Sequence, residues 1–513
     1  MKSKKKVLAF WGGHHESNVL DLALDYIHKN DNVLLLCCDE TEGICVRNYR
    51  KCEAYCWICK QSKREVLRKF ASDFTNYHFL AEYISEEMIH EADAFEFKYK
   101  STKELKCITY HDVEIGFGAF STYVTLTRHC NPQYSDTVKQ YLNDMMRAEI
   151  RLILIAEKII KEFAPDLIIF HNGRFAQYKP FLGIAKNVGI DYIASELDSN
   201  SIGEELHNDF YNDIPHSTTS FDRGIKRDWA SADPKEREKI GRQFYENRRN
   251  AIRAGDTVYT KDQKLGMLPK DWDTSKYNIV IFNSSEDEFC SISKEYDDGQ
   301  LFECQFVAIK KILEHYKADT AKHFYLRIHP NLGDVDDISH LALYKLEYPN
   351  FSIISPKSPI STYTLIDEAN KVVVFNSTVG IEAAYWGKPV ISLNMCAYDS
   401  MNVSYCPTSE EDVYEYIDKE PLPAKKNIGC LKYAYYLLHV NYPKQRYLKN
   451  YWRKRKIFGK TVEYTRIFTL LGSKWLYAFA NYMVNRIHLS CRPFAKYKEV
   501  PKDRDLWNIE LDD

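Results

Sequence analysis

Short apolar runs alternate along this chain with longer amphipathic stretches. The runs 32–38 (NVLLLCC), 166–170 (DLIIF) and 278–282 (NIVIF) are apolar almost throughout, which is typical of parallel strands buried on both faces. The stretch 136–163 has the spacing of a single amphipathic helix. Because strands and helices alternate, we predict parallel sheets joined by right-handed crossovers.

This alternation occurs in two blocks, and the pattern changes after about residue 421. We therefore predict an α/β chain with a Rossmann-like domain at 1–255, which carries a cysteine-rich insertion, and a second Rossmann-like domain at 256–425. The remaining residues, 426–513, are predicted to form a helical tail rich in basic and aromatic side chains. Within that tail, 464–487 has helical spacing, and we expect the tail to fold back on the first domain or to touch a membrane surface.

Composition excludes several classes of protein. The 513 residues have a formal net charge of −2, so the broad positive field of a nucleic-acid-binding protein is absent. There is no apolar run of the roughly 18 residues that a membrane-spanning helix needs, and the basic start MKSKKK leads into no signal-peptide core. Because 14 cysteines accompany no sign of export, we expect a cytoplasmic protein with reduced thiols.

Polar loops follow three of the apolar runs in the second block. They are 283–285 (NSS), 327–331 (RIHPN) and 376–380 (NSTVG). In open parallel sheets, ligands bind beyond the carboxyl ends of the strands. The three loops therefore predict one ligand crevice.

The residue types in these loops suit a nucleotide phosphate. His329 can donate a ring N–H to a phosphate oxygen, and Pro330 fixes the turn that follows it. Ser377 and Thr378 precede a helix, whose amino terminus attracts an anion. Taken singly, a Ser-Thr pair is also an ordinary helix cap and a His-Pro pair an ordinary turn, so the prediction rests on their conjunction.

Two further positions complete the predicted site. Gly380 lets the backbone approach a ligand closely, and Glu382 can accept hydrogen bonds from ribose hydroxyls. The residues predicted to bind the nucleotide are Ser284, Ser285, Arg327, His329, Pro330, Asn331, Asn376, Ser377, Thr378, Gly380 and Glu382.

These motifs resemble those of the capsule polysaccharide biosynthesis family of bacterial glycosyltransferases, whose best understood members transfer Kdo from CMP-Kdo. The matching segments are FNSS at 282–285, RIHP at 327–330 and NSTVGIEAAYWGKPVI at 376–391, with a weaker match at 171–174 (HNGR) and Glu196. The resemblance implies a GT-B fold of two facing domains and a nucleotide-sugar donor. It also implies that no catalytic metal is needed, because His329 and Ser377 or Thr378 hold the donor phosphate.

A transferase also needs a base for the acceptor hydroxyl, usually a carboxylate when the enzyme inverts the anomeric configuration. The resemblance implies that the acceptor lies on the first domain, where Glu16 and Glu196 follow predicted strands. Asp112 and Glu114 remain alternatives. We predict Glu16, Glu196 and His329 as catalytic residues, with the choice of base left open.

Four cysteines form a separate cluster. Cys45, Cys52, Cys56 and Cys59 have the pattern C-x6-C-x3-C-x2-C, and four thiolates suit tetrahedral zinc. The CxxxCxxC core is also the spacing with which radical-SAM enzymes hold an iron–sulfur cluster. A structural zinc or iron–sulfur site and a set of packed, reduced thiols both remain open.

The segment 444–460 (KQRYLKNYWRKRKIFGK) interleaves basic and aromatic residues. Such a segment suits an anionic membrane interface, where a lipid-linked glycan acceptor would lie. A solvated helix face is the alternative interpretation.

From these patterns we predict a glycosyltransferase that moves Kdo or another CMP-activated acidic sugar onto a surface polysaccharide, in the cytoplasm or at the inner face of the membrane. Three rivals stay open. They are a CDP-glycerol- or UDP-sugar-dependent transferase on the same fold, a redox enzyme built on the cysteine cluster, and a binding module without catalysis.

Overall fold

In the computed structural model of the chain, the described residues are 3–13, 16–46, 48, 51, 53–199, 205–254, 258–333, 337–439, 444–448, 454–457 and 460–463. They divide into two compact units. The first consists of Met1–Thr127, Pro132–Pro215 and Tyr442–Asp513, and the second of Arg128–Asn131 and His216–Asn441. The short segment 128–131 thus belongs to the second unit, although both of its flanking segments belong to the first.

The first unit is built on a six-stranded sheet in the order β3-β2-β1-β4-β5-β6. Its strands are β1 (Lys6–Trp11), β2 (Asn32–Cys37), β3 (Tyr77–Phe79), β4 (Leu167–His171), β5 (Asp191–Ser199) and β6 (Glu205–Tyr211). Its helices are α1 (Ser17–His28), α2 (Glu53–Lys69), α3 (Glu86–Ala94), α4 (Thr102–Lys106), α5 (Ile115–Thr127), α6 (Asp136–Phe163) and α7 (Lys179–Val188). All neighbouring strands are parallel except β5 and β6.

The second unit is built on a five-stranded sheet in the order β11-β10-β7-β8-β9, and all its strands are parallel. The strands are β7 (Tyr277–Phe282), β8 (Lys322–Arg327), β9 (Phe351–Ile354), β10 (Lys371–Val374) and β11 (Val390–Ser392). The helices are α8 (Thr218–Ser231), α9 (Pro234–Arg249), α10 (Lys294–Asp298), α11 (Gln305–Tyr316), α12 (Ile338–Leu343), α13 (Thr362–Glu368), α14 (Thr378–Tyr385), α15 (Glu410–Asp418) and α16 (Ile428–His439).

The apolar runs form strands because both faces of each sheet are covered. In β7, Ile279 and Ile281 pack into one core cluster, whereas Val280 and Phe282 pack into another. Alternate side chains of a strand point to opposite faces, so a strand covered on both sides must be apolar at every position. The predicted mixed α/β architecture with parallel sheets is confirmed.

The end of the described chain returns to the first unit. The backbone N–H groups of Arg446, Tyr447 and Leu448 all donate to the carboxylate of Asp21 on α1, at 2.8–3.2 Å. Leu448 is fully buried in the core of that unit. The expectation that the tail folds back on the first domain is therefore met by 444–448.

Other expectations about the ends of the domains differ from the structure. The first helices beyond residue 215, α8 and α9, pack against α16 in the second unit, whereas we placed the boundary at 255. Residues 454–463 contain two antiparallel strands, β12 (Lys454–Ile457) and β13 (Lys460–Glu463), in place of the helix expected for the tail. The predicted helix at 464–487 lies outside the described residues.

None of the helices in the described ranges is both long and apolar enough to cross a bilayer.

A buried lysine closes the carboxyl edge of the first sheet. The Lys63 side chain on α2 is fully buried, and its ammonium group donates to the backbone carbonyls of Trp11 (3.0 Å), Gly12 (2.6 Å) and Cys38 (2.9 Å). These carbonyls lie where β1 and β2 end, and without Lys63 they would be buried polar groups lacking this donor. Lys63 therefore holds the two strand ends together.

We expect Lys63→Met to lower the free energy of unfolding by about 3 kcal/mol, because three buried carbonyls lose their donor. Urea unfolding of the full chain, followed by circular dichroism, measures this change. Lys69→Met on the same helix is the matched control, since Lys69 is exposed. An equal effect in the two variants would contradict this role for Lys63.

Candidate functional site

The strand order of the second sheet brings the three predicted loops side by side. Strand β7 lies between β10 and β8, so the loops at 283–285, 328–331 and 375–378 leave neighbouring strands at the same edge. With strands about 4.8 Å apart, the ends of β8 and β10 are roughly 10 Å from each other. The chain passes from β7 to β8 on one side and later returns to β10 on the other, and such a switch point is where open α/β sheets bind ligands.

His329 has a defined tautomer in this arrangement. Its Nδ1 accepts a hydrogen bond from the backbone N–H of Asn331 at 3.1 Å, so the ring proton of the neutral form lies on Nε2. Its own backbone N–H donates to Oδ1 of Asn283 at 2.8 Å, which joins the loops after β7 and β8. Burial lowers the pKa of His329 to about 4, and the nearby charges of Arg128 and Arg327 act in the same direction. His329 is therefore an uncharged donor at neutral pH.

Arg128 bridges the same two loops. Its Nη2 donates to Oγ of Ser285 at 2.6 Å and its Nη1 to the backbone carbonyl of Asn331 at 3.3 Å. Its Nε also pairs with the carboxylate of Asp287 at 2.8 Å, and Oγ of Ser285 donates to that carboxylate at 2.8 Å. The Asn331 side chain donates to Glu288 at 3.2 Å. Two predicted site residues, Ser285 and Asn331, are thus held by an arginine distant in sequence.

Ser377 and Thr378 lie at the amino end of α14, as predicted. Ser377 caps the helix by accepting from the Val379 N–H at 3.3 Å. Nη2 of Arg248, at the end of α9, is 3.4 Å from Oγ1 of Thr378. The helix end and this guanidinium both favour a negative charge beside Thr378.

Glu382 has its carboxylate occupied inside the protein. It is 3% exposed, one oxygen accepts from Nε of Arg248 at 2.9 Å, and the other accepts from the hydroxyl of Tyr363. The hydrogen bond from Arg248 means that Glu382 orients this guanidinium. Its role toward ribose stays a prediction.

Other predicted residues also bond within the protein. Ser284 exchanges backbone and side-chain hydrogen bonds with Gln305. Arg327 is 2% exposed and donates to the carbonyls of Ser355 and Ser358. It therefore bonds to the loop that follows β9. Pro330 begins a short 3-10 turn over Pro330–Leu332.

The loop after β10 depends on two special backbone positions. Asn376 has a φ of +45° and donates its side-chain amide to the carbonyl of Met395. A Cβ at Gly380 would lie 2.2 Å from the hydroxyl of Tyr398, which itself donates to the carbonyl of Ser377 at 2.7 Å. Glycine is thus needed at position 380 because the Tyr398 side chain packs closely against its backbone.

Three residues near these loops were not foreseen from the sequence. They are Arg128, Arg248 and Tyr259, whose 44%-exposed ring lies edge-on to His329 with 5.2 Å between ring centroids. No local motif marks any of the three. Only the aromatic type of Tyr259, near the start of the predicted second domain, could have suggested it.

Glu16, the first candidate base, is almost completely buried at 1% exposure. Its carboxylate accepts from the backbone N–H groups of Gly12 (3.1 Å) and Gly13 (2.5 Å) and from the hydroxyl of Tyr178. A Cβ at Gly12 would meet Tyr178 at 2.8 Å, so glycine is needed for this close packing. Glu16 therefore fixes the turn after β1, and its role as a base stays a prediction.

Glu196, the second candidate, is half-buried on β5 and accepts a hydrogen bond from the side-chain amide of Asn172, just beyond β4. Strands β1 and β4 flank the switch point of the first sheet. Of the alternatives, Glu114 pairs with Lys179 at 2.7 Å. Asp112 is exposed in a turn that is bonded to Asn187 near the end of α7, close to where β5 begins. Glu196 thus lies nearer to the carboxyl edge than Asp112.

Two α/β units built on largely parallel sheets, each with polar loops at a switch point, define a two-domain protein of the α/β class. Residues 259–447 match the family described as capsule polysaccharide biosynthesis protein. The resemblance drawn from the sequence is therefore confirmed over this part of the chain, and the prediction of a glycosyltransferase agrees with it. A search of curated protein sequences finds no match.

Several solved structures are similar in outline. KpsC of Thermosulfurimonas dismutans, a β-Kdo 2,4 transferase, is 13% identical, with 59% of this chain and 85% of that chain covered and a TM-score of 0.35. The UDP-GlcNAc 2-epimerase of Neisseria meningitidis, bound to UDP-GlcNAc, is 11% identical, with 85% and 94% covered and a TM-score of 0.25. The calicheamicin glycosyltransferase CalG4 is 11% identical, with 85% of this chain and 95% of that chain covered and a TM-score of 0.25. Similarities of this size do not bear on the roles of individual residues.

The cysteine cluster is organised around Asn48. The backbone N–H of Asn48 donates to Sγ of Cys45 at 3.3 Å, and its side-chain amide donates to Sγ of Cys56 at 3.0 Å. Burial raises the pKa of the Cys56 thiol, and its neighbours Cys45 and Cys59 raise it further. Within the described ranges no three candidate ligands lie close enough to share a metal ion, and Cys52 lies outside those ranges.

If the four thiols hold a metal, we expect the purified full-length protein to contain about one zinc per chain, because zinc thiolate sites are four-coordinate. Elemental analysis by mass spectrometry measures this. Cys56→Ser should lose the metal, whereas Cys107→Ser, an exposed thiol away from the cluster, should keep it. Metal-free protein would contradict the site, and a visible absorption band would indicate an iron–sulfur cluster instead.

Proposed function

We propose that this chain transfers a sugar from a nucleotide-sugar donor to a glycan acceptor of surface-polysaccharide assembly. The observation that carries the proposal is the neutral His329, with its Nε2 proton, in a loop neighbouring the serine loop after β7, at the edge where α14 begins. This arrangement suits a phosphate group. The match of 259–447 to the capsule polysaccharide biosynthesis family supports the same function.

The second unit would bind the donor. His329 would donate its Nε2 proton to a phosphate oxygen. The Thr378 hydroxyl would donate from the β10 side, where the amino terminus of α14 also attracts an anion. Arg248, oriented by Glu382, would add a positive charge beside Thr378. These groups would hold the phosphate chiefly through hydrogen bonds, and the family resemblance implies that no catalytic metal takes part.

The same donors would assist the chemical step. As the bond between the anomeric carbon and the phosphate oxygen breaks, its electron pair leaves with the nucleotide and negative charge builds up on the phosphate. Fixed N–H and O–H donors stabilise such charge without reorganising. The acceptor hydroxyl oxygen forms the new bond to the anomeric carbon.

The hydroxyl proton would pass to a carboxylate of the first unit. Glu196 is the better candidate, since it is half-buried and, among the described residues, accepts one hydrogen bond, from Asn172. Glu16 is the second candidate, although three donors occupy its carboxylate. A base whose lone pairs are already engaged accepts a proton less readily.

A CMP-activated acidic sugar such as Kdo is our first choice of donor, because the family resemblance favours it. A UDP-sugar or CDP-glycerol would use the same phosphate donors. The acceptor would be a glycan, free or linked to a lipid, and nucleic acid is not an expected partner.

We place the reaction in the cytoplasm, at the inner face of the membrane. The basic segment 444–460 would contribute a peripheral contact with anionic lipid there. Within the described part of this segment, Arg446 remains 63% exposed while it pairs with Asp25, and Leu448 is buried.

We expect His329→Ala to weaken binding of CMP or UDP by roughly tenfold or more, because a hydrogen bond to a charged phosphate is lost. Isothermal titration calorimetry on the full chain measures this. His323→Ala is the matched control, since His323 lies near the amino end of β8, the strand that precedes His329, and this variant should bind nucleotide as the wild type does. If neither nucleotide binds the wild type at millimolar concentration, the proposed function is wrong.

We expect Glu196→Gln to lower kcat by roughly 10²–10⁴-fold, the usual contribution of a general base, with little change in nucleotide affinity. Transfer assays with a CMP- or UDP-sugar and a glycan acceptor measure kcat. Glu157→Gln, in an exposed pair with His111, is the control. Full activity in Glu196→Gln would remove Glu196 from consideration and leave Glu16 to be tested in the same way.

A further inference from the structure

The segment 128–131, which we call the strap, is part of the second unit although 1–127 and 132–215 form the first. The residues that hold it lie at the edge of the second sheet where the loops after β7 and β8 begin. The backbone N–H of Cys130 donates to Asp337 at 3.1 Å, and the amide of Asn131 donates to Oγ of Ser339 at 3.0 Å. Asp337 in turn caps α12 through the N–H groups of Ser339 and His340. The strap is therefore fixed at the start of that helix.

The strap presents Arg128 in an unusual backbone conformation. Arg128 has a φ of +63°, in the left-handed region that costs a non-glycine residue about 1 kcal/mol. Such a conformation persists only when the surroundings hold it in place. Here the surroundings are the anchors of Cys130 and Asn131 on one side and the bonds of the guanidinium on the other.

The guanidinium adds a further link between the loops after β7 and β8, which the bonds from His329 to Asn283 and from Asn331 to Glu288 also join. It contacts Ser285 and Asp287 from the loop after β7, and the carbonyl of Asn331 from the loop after β8. A planar guanidinium can serve several acceptors in fixed directions, which a lysine cannot. Asn331 is the residue whose N–H sets the tautomer of His329, so Arg128 acts one step from the proposed phosphate donor.

We propose that Arg128 is a positioning residue of the donor site, which locks the loops after β7 and β8 so that Nε2 of His329 faces the nucleotide phosphate. This inference rests on the proposed function. Arg128 is not assigned as a phosphate ligand, because its Nε and Nη2 both donate to the carboxylate of Asp287. That carboxylate already compensates the charge of the guanidinium.

Arg128 also acts on His329 through its charge, and this effect on the pKa of His329 can be measured separately from the positioning of the loops. Burial is the main cause of the low pKa of His329, Arg128 and Arg327 lower it further, and Asp287 raises it. Tyr259 packs against the ring, and Glu288 reaches the loop through Asn331. Removal of the Arg128 charge should therefore raise the pKa of His329, while a lysine at the same place should preserve the low value.

The test uses CMP as the probe and full-length Arg128→Gln, Arg128→Lys and Asp287→Asn. We expect roughly tenfold weaker CMP binding in both Arg128 variants, since neither Gln nor Lys can bridge the two loops. NMR titration of the histidine rings should show a raised pKa for His329 in Arg128→Gln and an unchanged one in Arg128→Lys. Asp287→Asn, which keeps the shape of the partner, should weaken binding in the same direction, and the double variant should be no worse than Arg128→Gln alone.

Arg249→Gln is the matched control. Arg249 also pairs through its guanidinium with an aspartate, Asp367. The carbonyl of Asp367 accepts from Lys388 just before β11 begins, so this pair lies at the opposite edge of the sheet. It should bind CMP as the wild type does.

The outcomes separate the two hypotheses. If wild-type protein binds neither CMP nor UDP, the proposed function fails before Arg128 is considered. If the wild type binds CMP and Arg128→Gln binds it equally well, the inference is wrong while the function stands. If Arg128→Lys restores binding in full, charge rather than bridging is what matters, and the positioning role is overturned. Should Arg128→Gln fail to fold by circular dichroism, the affinity of Asp287→Asn decides, and wild-type affinity there would refute the inference.

Discussion

Strand β7 lies between β10 and β8, and this position determines where the polar loops of the second unit meet. In a parallel sheet the carboxyl ends of all strands lie at the same edge, so the strand order decides which of the following loops are neighbours. The hydrogen bond from the His329 N–H to Oδ1 of Asn283 then fixes two of these loops to each other. Because the position of His329 and the contacts of Ser285 depend on that arrangement, the proposed phosphate site follows from the sheet order.

Much of this framework could be predicted from local pattern. The helix expected at 136–163 matches α6, and the strand expected at 278–282 lies within β7. Such elements are predictable because burial on both faces demands continuous apolar runs, and burial on one face demands helical spacing. Less regular elements were not foreseen, among them α3 to α5, the antiparallel strand β6, and the helices α8 and α9. Their placement depends on packing against distant parts of the chain, such as α9 against α16.

The candidate site was predictable only as a set of loops. Sequence order told us that RIHPN and NSTVG follow strands, but it could not tell which side chains would turn outward. Arg327 bonds to Ser355 and Ser358, and Gly380 makes room for Tyr398. Arg128 is 157 residues from Ser285 along the chain, and no local spacing encodes a contact over that distance. Residues that act through long-range contacts therefore need the fold to be recognised.

Apart from Arg327, which donates to backbone carbonyls, the basic groups around the proposed donor site carry little uncompensated charge. Arg128 is paired with Asp287, Arg248 with Glu382, and His329 is uncharged at neutral pH because its pKa is lowered to about 4. The site therefore offers oriented N–H groups and a helix terminus more than a large net positive charge. Donors fixed by internal partners need no reorganisation when charge develops on a leaving phosphate, and they hold the product nucleotide less strongly than unpaired cations would. This balance suits an enzyme that must release its nucleotide after every transfer, and it explains why carboxylates lie so close to a site proposed for an anion.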